Sequence, residues 1–258
     1  MKDYKLIIKR VLGVLFNNIL INNLIILFGL EDYFKGKRGY WQNKKILQDK
    51  TLQEQVEYSC YPEVQETLEK LHAELRNVRE RHFPERAKVL DIGCGVGLFL
   101  SDFPESFDLT GIDLSQELVS LARQRFPRVK FIIDDFFKIE LAKKFDLIYA
   151  ISVLQSVSRM NIEKFFKKAS NLLETGGILL VAYPHALSFW DILYPDLSYM
   201  QYSSLLIEKF ASRYLKIIKH HHVFDGRSVG RFDTHIYKYP KLDRVCKNYY
   251  LLVAQKNT

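Results

Sequence analysis

The chain has 258 residues, 48% of them hydrophobic and 26% charged, a globular composition that excludes an intrinsically disordered chain. Three cysteines, Cys60, Cys94 and Cys246, are scattered with no Cys-x-x-Cys pair and no His/Cys set at zinc spacing. That argues against a disulfide scaffold and a structural metal, and for a reducing, cytoplasmic setting. The formal net charge of +8 is uneven: residues 1–85 carry 14 Lys/Arg against 12 Asp/Glu, while residues 205–258 carry 11 against 4. Such an excess reads either as a solvated basic face or as attraction to a phosphate-bearing substrate or an anionic membrane surface.

Residues 11–30 (VLGVLFNNILINNLIILFGL) are long enough to span a bilayer, and fourteen of them are Leu, Ile, Val or Phe. That content is worth about −4 to −8 kcal/mol on an insertion scale. Asn17, Asn18, Asn22 and Asn23, at a cost on the order of 2 kcal/mol each when buried, cancel the gain. No small-residue cleavage site follows, so a signal peptide is not indicated. The readings rank as docking against the domain or a partner, then peripheral membrane association, then a true span. Glu31–Thr51 reads as a polar, aromatic loop.

Pro62 then precedes a helix in which Val64, Leu68, Leu71, Leu75 and Val78 recur at helical spacing, until Pro84 ends it. From residue 86 onward, strands are expected at Ala87–Asp91, Leu109–Asp113, Val129–Ile133, Phe145–Ala150 and Ile178–Ala182. Helices are expected near Leu98–Phe103, Gln116–Phe126 and Ile162–Leu173. Alternating β and α segments of this length imply an α/β fold with a parallel sheet covered on both faces. Tyr214–Phe224 and Tyr249–Gln255 read as two further strands, an antiparallel hairpin at the sheet's edge. The chain therefore divides into an N-terminal helical extension, 1–85, and an α/β domain, 86–258.

The segment that carries chemistry is VLDIGCGVG, residues 89–97. A buried strand ends in Asp91, and Gly93 and Gly95 let the backbone turn tightly and approach a ligand that a Cβ would push away. The helix expected behind them would offer unpaired N–H groups. A dinucleotide fingerprint needs a third glycine three residues after the second, and that position is Leu98. Eighteen residues beyond Gly95, the next strand ends in Asp113, an acid able to accept both hydroxyls of a ribose. The third strand ends in Asp134-Asp135-Phe136, an acid and an aromatic where an adenine would lie. Three successive strand ends finishing in acids form a row at the carboxyl edge of the sheet, where such folds bind ligands.

VLDIGCGVG, GIDLS, FIIDDFF, FDLIYAISVLQSV and LLETGGILLV resemble, in sequence and order, the successive motifs of class I S-adenosylmethionine (SAM)-dependent methyltransferases. The resemblance covers roughly residues 86–183. It implies a Rossmann-like, mostly parallel seven-stranded sheet with an antiparallel last strand. It also implies that Asp91, Gly93, Cys94 and Gly95 hold the methionine part of SAM and that Asp113 binds its ribose. Leu114 would pack on the adenine, with Asp134, Asp135 and Phe136 at the adenine amine and ring.

Three positions depart from the pattern. Ile151 stands where many relatives carry a polar residue, Gln155 and Ser156 where small-molecule members often carry histidines, and Thr175 where a proline is common. The first two touch the acceptor side and leave the general base open. Gln155 cannot act as a base. His185, directly after the fifth strand, is the expected catalytic residue, with His235 a weaker choice. In His220-His221-His222, strand alternation sends His221 to the opposite face from the other two, against a three-histidine metal site.

The aromatic-dense residues 183–205 lie where the family builds an acceptor pocket or lid, or else they are core. The basic segment 226–246, with Arg227 and Arg231, would cover the site or contact an anionic head group. The implied activity is methyl transfer from SAM to an oxygen of a small or lipid-linked acceptor. Nucleic acid is not expected as acceptor, because AISV follows the fourth strand in place of a base-methylating Asn/Asp-Pro-Pro-aromatic tetrapeptide. The rival from another class is a catalytically degenerate methyltransferase fold serving as a binding or assembly protein.

Overall fold

The computed structural model describes residues 62–184, 202–223 and 249–257. In chain order the elements are α1 (Pro62–His82), β1 (Lys88–Ile92), a 3-10 turn (Leu98–Asp102), β2 (Asp108–Asp113), α2 (Gln116–Arg125), β3 (Lys130–Ile133) and β4 (Phe145–Ile151). A second 3-10 turn (Leu154–Ser156), α3 (Arg159–Leu172), β5 (Leu173–Pro184), α4 (Ser204–Ala211), β6 (Lys216–His222) and β7 (Tyr249–Gln255) follow.

The seven strands form one sheet in the order β3-β2-β1-β4-β5-β7-β6. The first five in that order run parallel. β7 is antiparallel to both β5 and β6, so the last strand slots between them and β6 takes the edge. This is the Rossmann-like, mostly parallel sheet with an antiparallel last strand. The strand order reverses at β1, which has β2 on one side and β4 on the other. That places a ligand crevice at its carboxyl end.

Alternation along the strands builds two cores. Ile148, Ala150, Leu179, Val181, Leu252 and Ala254 face α3 and α4, whereas Leu147, Tyr149, Ile178, Leu180, Leu251 and Val253 face α1. With both faces covered, β4 reads as an almost unbroken apolar run. α3 buries Ile162, Phe165, Phe166, Ala169 and Leu172, a stripe at helical spacing. Burying each of its two phenylalanines contributes roughly 1.5–3 kcal/mol.

α1 turns Leu71, Leu75 and Val78 onto the opposite face of the sheet. It is tied there by the buried Asp102, whose carboxylate is 2.5 Å from His72 Nδ1 and accepts from Arg76 at 2.8 Å, while Arg79 donates to its carbonyl. Of the expected extension 1–85, residues 62–82 thus form a layer of the α/β core. Residues 1–30 lie outside the described residues. No helix among the described residues is long and apolar enough to cross a membrane.

Several boundaries differ from expectation. The helix expected near Leu98–Phe103 is a 3-10 turn of five residues. Its side chains Phe99 and Leu100 are buried on both sides of it, which favours a short, tightly wound connection. β5 starts at Leu173, not Ile178. The extra residues are absorbed by a register shift between Phe145 and Leu147, with Gly176 at φ +78°. α4 was not expected. Its Ser203 cap accepts from Leu206 N–H at 3.3 Å, and it buries Ile207 and Ala211.

Candidate functional site

The glycine loop after β1 is folded back onto β2. The N–H groups of Gly93 and Cys94 both donate to the Ile112 carbonyl, at 2.7 and 3.0 Å, and Gly97 N–H donates to Cys94 O at 2.8 Å. Gly95 N–H donates to Asp113 Oδ2 at 2.9 Å. These four donors are used internally, and the element behind them is a single 3-10 turn. They belong to the loop itself; the turn behind it opens with the N–H groups of Leu98 and Phe99.

Gly93 and Gly95 both have positive φ, +72° and +52°. Their roles differ. A Cβ on Gly93 would meet Val153 Cγ2 at 2.5 Å, so this glycine lets the β4 turn close over the loop. A Cβ on Gly95 would meet nothing within 4 Å, so this glycine opens onto free space. Cys94 is buried, its Sγ against β2 at Gly111 and its side chain packed with Leu100, Val119, Ala122 and Phe131. Its thiol is pushed up, first by burial and then by the charges of Asp91 and Asp113.

Asp113 ends β2 and organises two turns at once. Oδ2 holds Gly95, and Oδ1 accepts from Ser115 N–H at 2.8 Å. Burial raises its pKa, while the N–H groups of Ser115, Gly95 and Leu114 pull the other way. Each carboxylate oxygen keeps a second lone pair for an incoming hydroxyl. Ser115, which sequence reasoning passed over, caps α2 by accepting from Leu118 N–H at 3.3 Å. Leu114 stays half-buried between them.

Asp91 is 4% exposed on the α1 side of β1, beside its register partner Tyr149. Burial pushes its carboxyl up to about 8, and the charge of Asp113 adds to the rise. The Tyr149 hydroxyl opposes the shift, although it lies outside strict hydrogen-bonding geometry to any group. No basic side chain among the described residues lowers it.

Asp134 and Asp135 follow β3, and Asp134 N–H donates to Asp113 O at 3.1 Å, so the three acids do share one edge. Asp134 is exposed and accepts from Asp135 N–H at 2.6 Å; Asp135 is buried and accepts from Phe137 N–H at 3.0 Å. Phe136 turns away from this edge. It is 7% exposed, sits in the core with its ring 5.5 Å from that of Phe165, and carries Lys168 over its face. Its placement at the adenine ring is not what the structure brings together.

His185, His235, Arg227 and Arg231 lie outside the described residues. The histidine alternation is present: His220 lies between Tyr183 (2.7 Å) and Glu208 (2.6 Å), while His221 reaches Glu74 of α1 at 3.2 Å on the other face. Gln155 is buried, with its Oε1 unpartnered. A cavity of about 410 Å³ on α3, lined by Phe137, Asn161, Lys164, Lys167, Lys168 and Asn171, shares no residue with the acid row.

A family model described as a methyltransferase domain matches residues 53–231. The chain belongs to this methyltransferase family. With the sheet and the motif order above, it belongs to the class I SAM-dependent methyltransferases by family and by fold.

The methyltransferase is 27% identical over 126 residues to malonyl-[acyl-carrier protein] O-methyltransferase 2 of Ilyobacter polytropus, covering 44% of this chain and 48% of that one. It is 30% identical over 103 residues to dTDP-3-amino-3,4,6-trideoxy-alpha-D-glucopyranose N,N-dimethyltransferase of Streptomyces venezuelae, covering 38% and 43%. The chain thus spans about half the length of these curated relatives. Its fold is similar to that of the N-methyltransferase NodS of Bradyrhizobium japonicum in complex with S-adenosylhomocysteine (SAH), with TM-score 0.57 and 17% identity over 74% of this chain and 88% of that one.

The residues present fit the SAM that the family uses. Open space stands where a Gly95 side chain would be. Asp113 offers spare acceptor capacity at the end of β2. Asp91 is a buried acid with no cation beside it among the described residues, and SAM carries an ammonium and a sulfonium.

Proposed function

We propose that this methyltransferase moves a methyl group from SAM to an oxygen of a small or lipid-linked acceptor. The observation that carries the reading is the convergence of the side-chain-free Gly95, the two-pronged Asp113 and the cation-seeking Asp91 on one sheet edge. SAM supplies an electrophilic methyl on a sulfonium, and transfer needs alignment, exclusion of water and removal of any acceptor proton. Asp113 would orient the ribose through its spare lone pairs and Asp91 would pair with the methionine ammonium. Asp134 and Asp135 border the adenine end, with Leu114 beside them. His185 is assigned the acceptor's proton, because it directly follows β5 and Gln155 cannot take one.

The small-molecule class is supported by the named relatives, one an O-methyltransferase and one acting on a nucleotide-linked amino sugar. Lipid linkage is supported by the apolar residues 1–30 together with the basic C-terminal fifth. The test is transfer of tritium from methyl-labelled SAM into a cell extract, split into aqueous and organic phases. Label in a small organic-phase or aqueous metabolite supports the proposal. SAM binding with no transfer to any fraction would favour a binding or assembly role instead.

A further inference from the structure

Ser152 is the one non-glycine residue with positive φ, +60°, among the described residues. L side chains avoid this region, and such residues persist where the surroundings over-determine them, often at ligand sites. Here the surroundings are explicit. The N–H of Ser152 donates to Ala182 O on β5 at 3.0 Å, and its hydroxyl shares a 2.6 Å bond with the Tyr249 hydroxyl at the start of β7. Ile151 before it is buried, and Val153 after it lies against Gly93. Ser152 itself is exposed. Packing alone does not demand a side chain there, since glycine would adopt the same φ without strain. What serine adds is a hydroxyl, held in place by a buried tyrosine.

The position of that hydroxyl is informative. With the ribose at Asp113 on β2 and the amino-acid part at Asp91 on β1 and Gly93 just after it, the sulfur of SAM falls at the end of β1. The neighbouring strand on the acceptor side is β4, and the first exposed side chain beyond it is Ser152. We infer that Ser152 presents its oxygen to the sulfonium end of bound SAM, and that Tyr249 is the positioning residue that holds it there. The inference rests on the SAM reading above. Its consequence is selectivity: a sulfonium carries a full positive charge and the thioether of SAH carries none, so the oxygen favours donor over spent product and assists exchange after each turnover.

The test compares SAM and SAH affinity by calorimetry on the full chain, with thermal unfolding alongside. Ser152→Gly is expected to weaken SAM by about 3- to 10-fold and SAH by less than about twofold, the range of a weak to charge-assisted contact. The same variant relieves the backbone strain but loses the bond to the Tyr249 hydroxyl, so thermal unfolding serves to show that it remains folded. Tyr249→Phe should show a smaller loss of the same kind. Ser152→Asn should restore most of the preference, since asparagine tolerates left-handed backbone and offers a carbonyl oxygen. An unchanged SAM-to-SAH ratio in Ser152→Gly, or equal weakening of both ligands, overturns the inference. Wild-type protein that binds neither ligand overturns the cofactor reading itself, and the role of Ser152 with it.

Discussion

Replacing Asp113 by alanine removes four acceptor positions from the centre of the site. Two are filled within the protein, by Gly95 N–H at 2.9 Å and Ser115 N–H at 2.8 Å. The other two are the lone pairs assigned to the ribose hydroxyls. A hydrogen bond to a charged group contributes about 1.5–3 kcal/mol, so losing two ribose contacts removes at least about 3 kcal/mol of binding, or more than 100-fold in affinity. The Gly95 loop also loses its anchor, so Tm should fall in the apo protein. Asp113→Asn separates the effects: it keeps one carbonyl acceptor and the shape of the side chain, and should cost about tenfold in SAM affinity with a smaller drop in Tm. Because SAM and SAH share the ribose, both ligands should weaken equally, unlike the pattern expected at Ser152. Calorimetric titration of wild type and both variants at one pH and salt is the assay. A change below about fivefold in Asp113→Ala, in protein that remains folded, would refute the ribose assignment.

Asp91 titrates near 8 in the folded protein against an ordinary 3.8, so folding stability should decline as pH rises from about 4 to about 8, and Asp91→Asn should raise Tm increasingly across that window with no gain below it. The same variant should bind SAM more weakly, and wild-type binding should release a proton between pH 6 and 8, read from calorimetry in buffers of different ionisation enthalpy. Gly95→Ala should cost about 1–2 kcal/mol of stability through its φ and most of the SAM affinity through its Cβ, whereas Gly93→Ala, which adds a clash with Val153, should destabilise the apo protein more. For His185→Gln, loss of a pH limb near about 6.5 with a drop of about 10²–10⁴-fold in kcat and unchanged SAM affinity is expected; a retained limb and rate would remove the residue from the mechanism. Carbonate washing should release the protein from membranes, and retention that depends on residues 1–30 would show that the four asparagines do not prevent insertion.

The strands were legible in the sequence because a sheet buried on both faces must be apolar over its length. Segments such as Phe145–Ile151 and Tyr249–Gln255 announce themselves by composition alone. The acid row was legible for a related reason. Asp91, Asp113 and Asp134 each interrupt or end an apolar run, and such a change at a strand's carboxyl end survives any detail of packing. Glycines at alternate positions after Asp91 likewise state a backbone requirement that no neighbour can supply.

What tertiary structure decided is how those residues divide the work. The N–H groups of Gly93, Cys94 and Gly95 are taken up by Ile112 O and the Asp113 carboxylate, because β2 lies close enough to satisfy them. Phe136 stands beside two site acids in the sequence but turns into the α3 core, since after β3 the chain reverses and alternate side chains part company. Ser152 carries no local signal at all. Its left-handed backbone depends on Ala182 and Tyr249, residues 30 and 97 positions away along the chain, the first brought in when β5 pairs with β4 and the second when β7 inserts beside β5. Apolar periodicity is a local property and can be read from the chain. Hydrogen bonds between strands distant in sequence exist only after the sheet has closed around them.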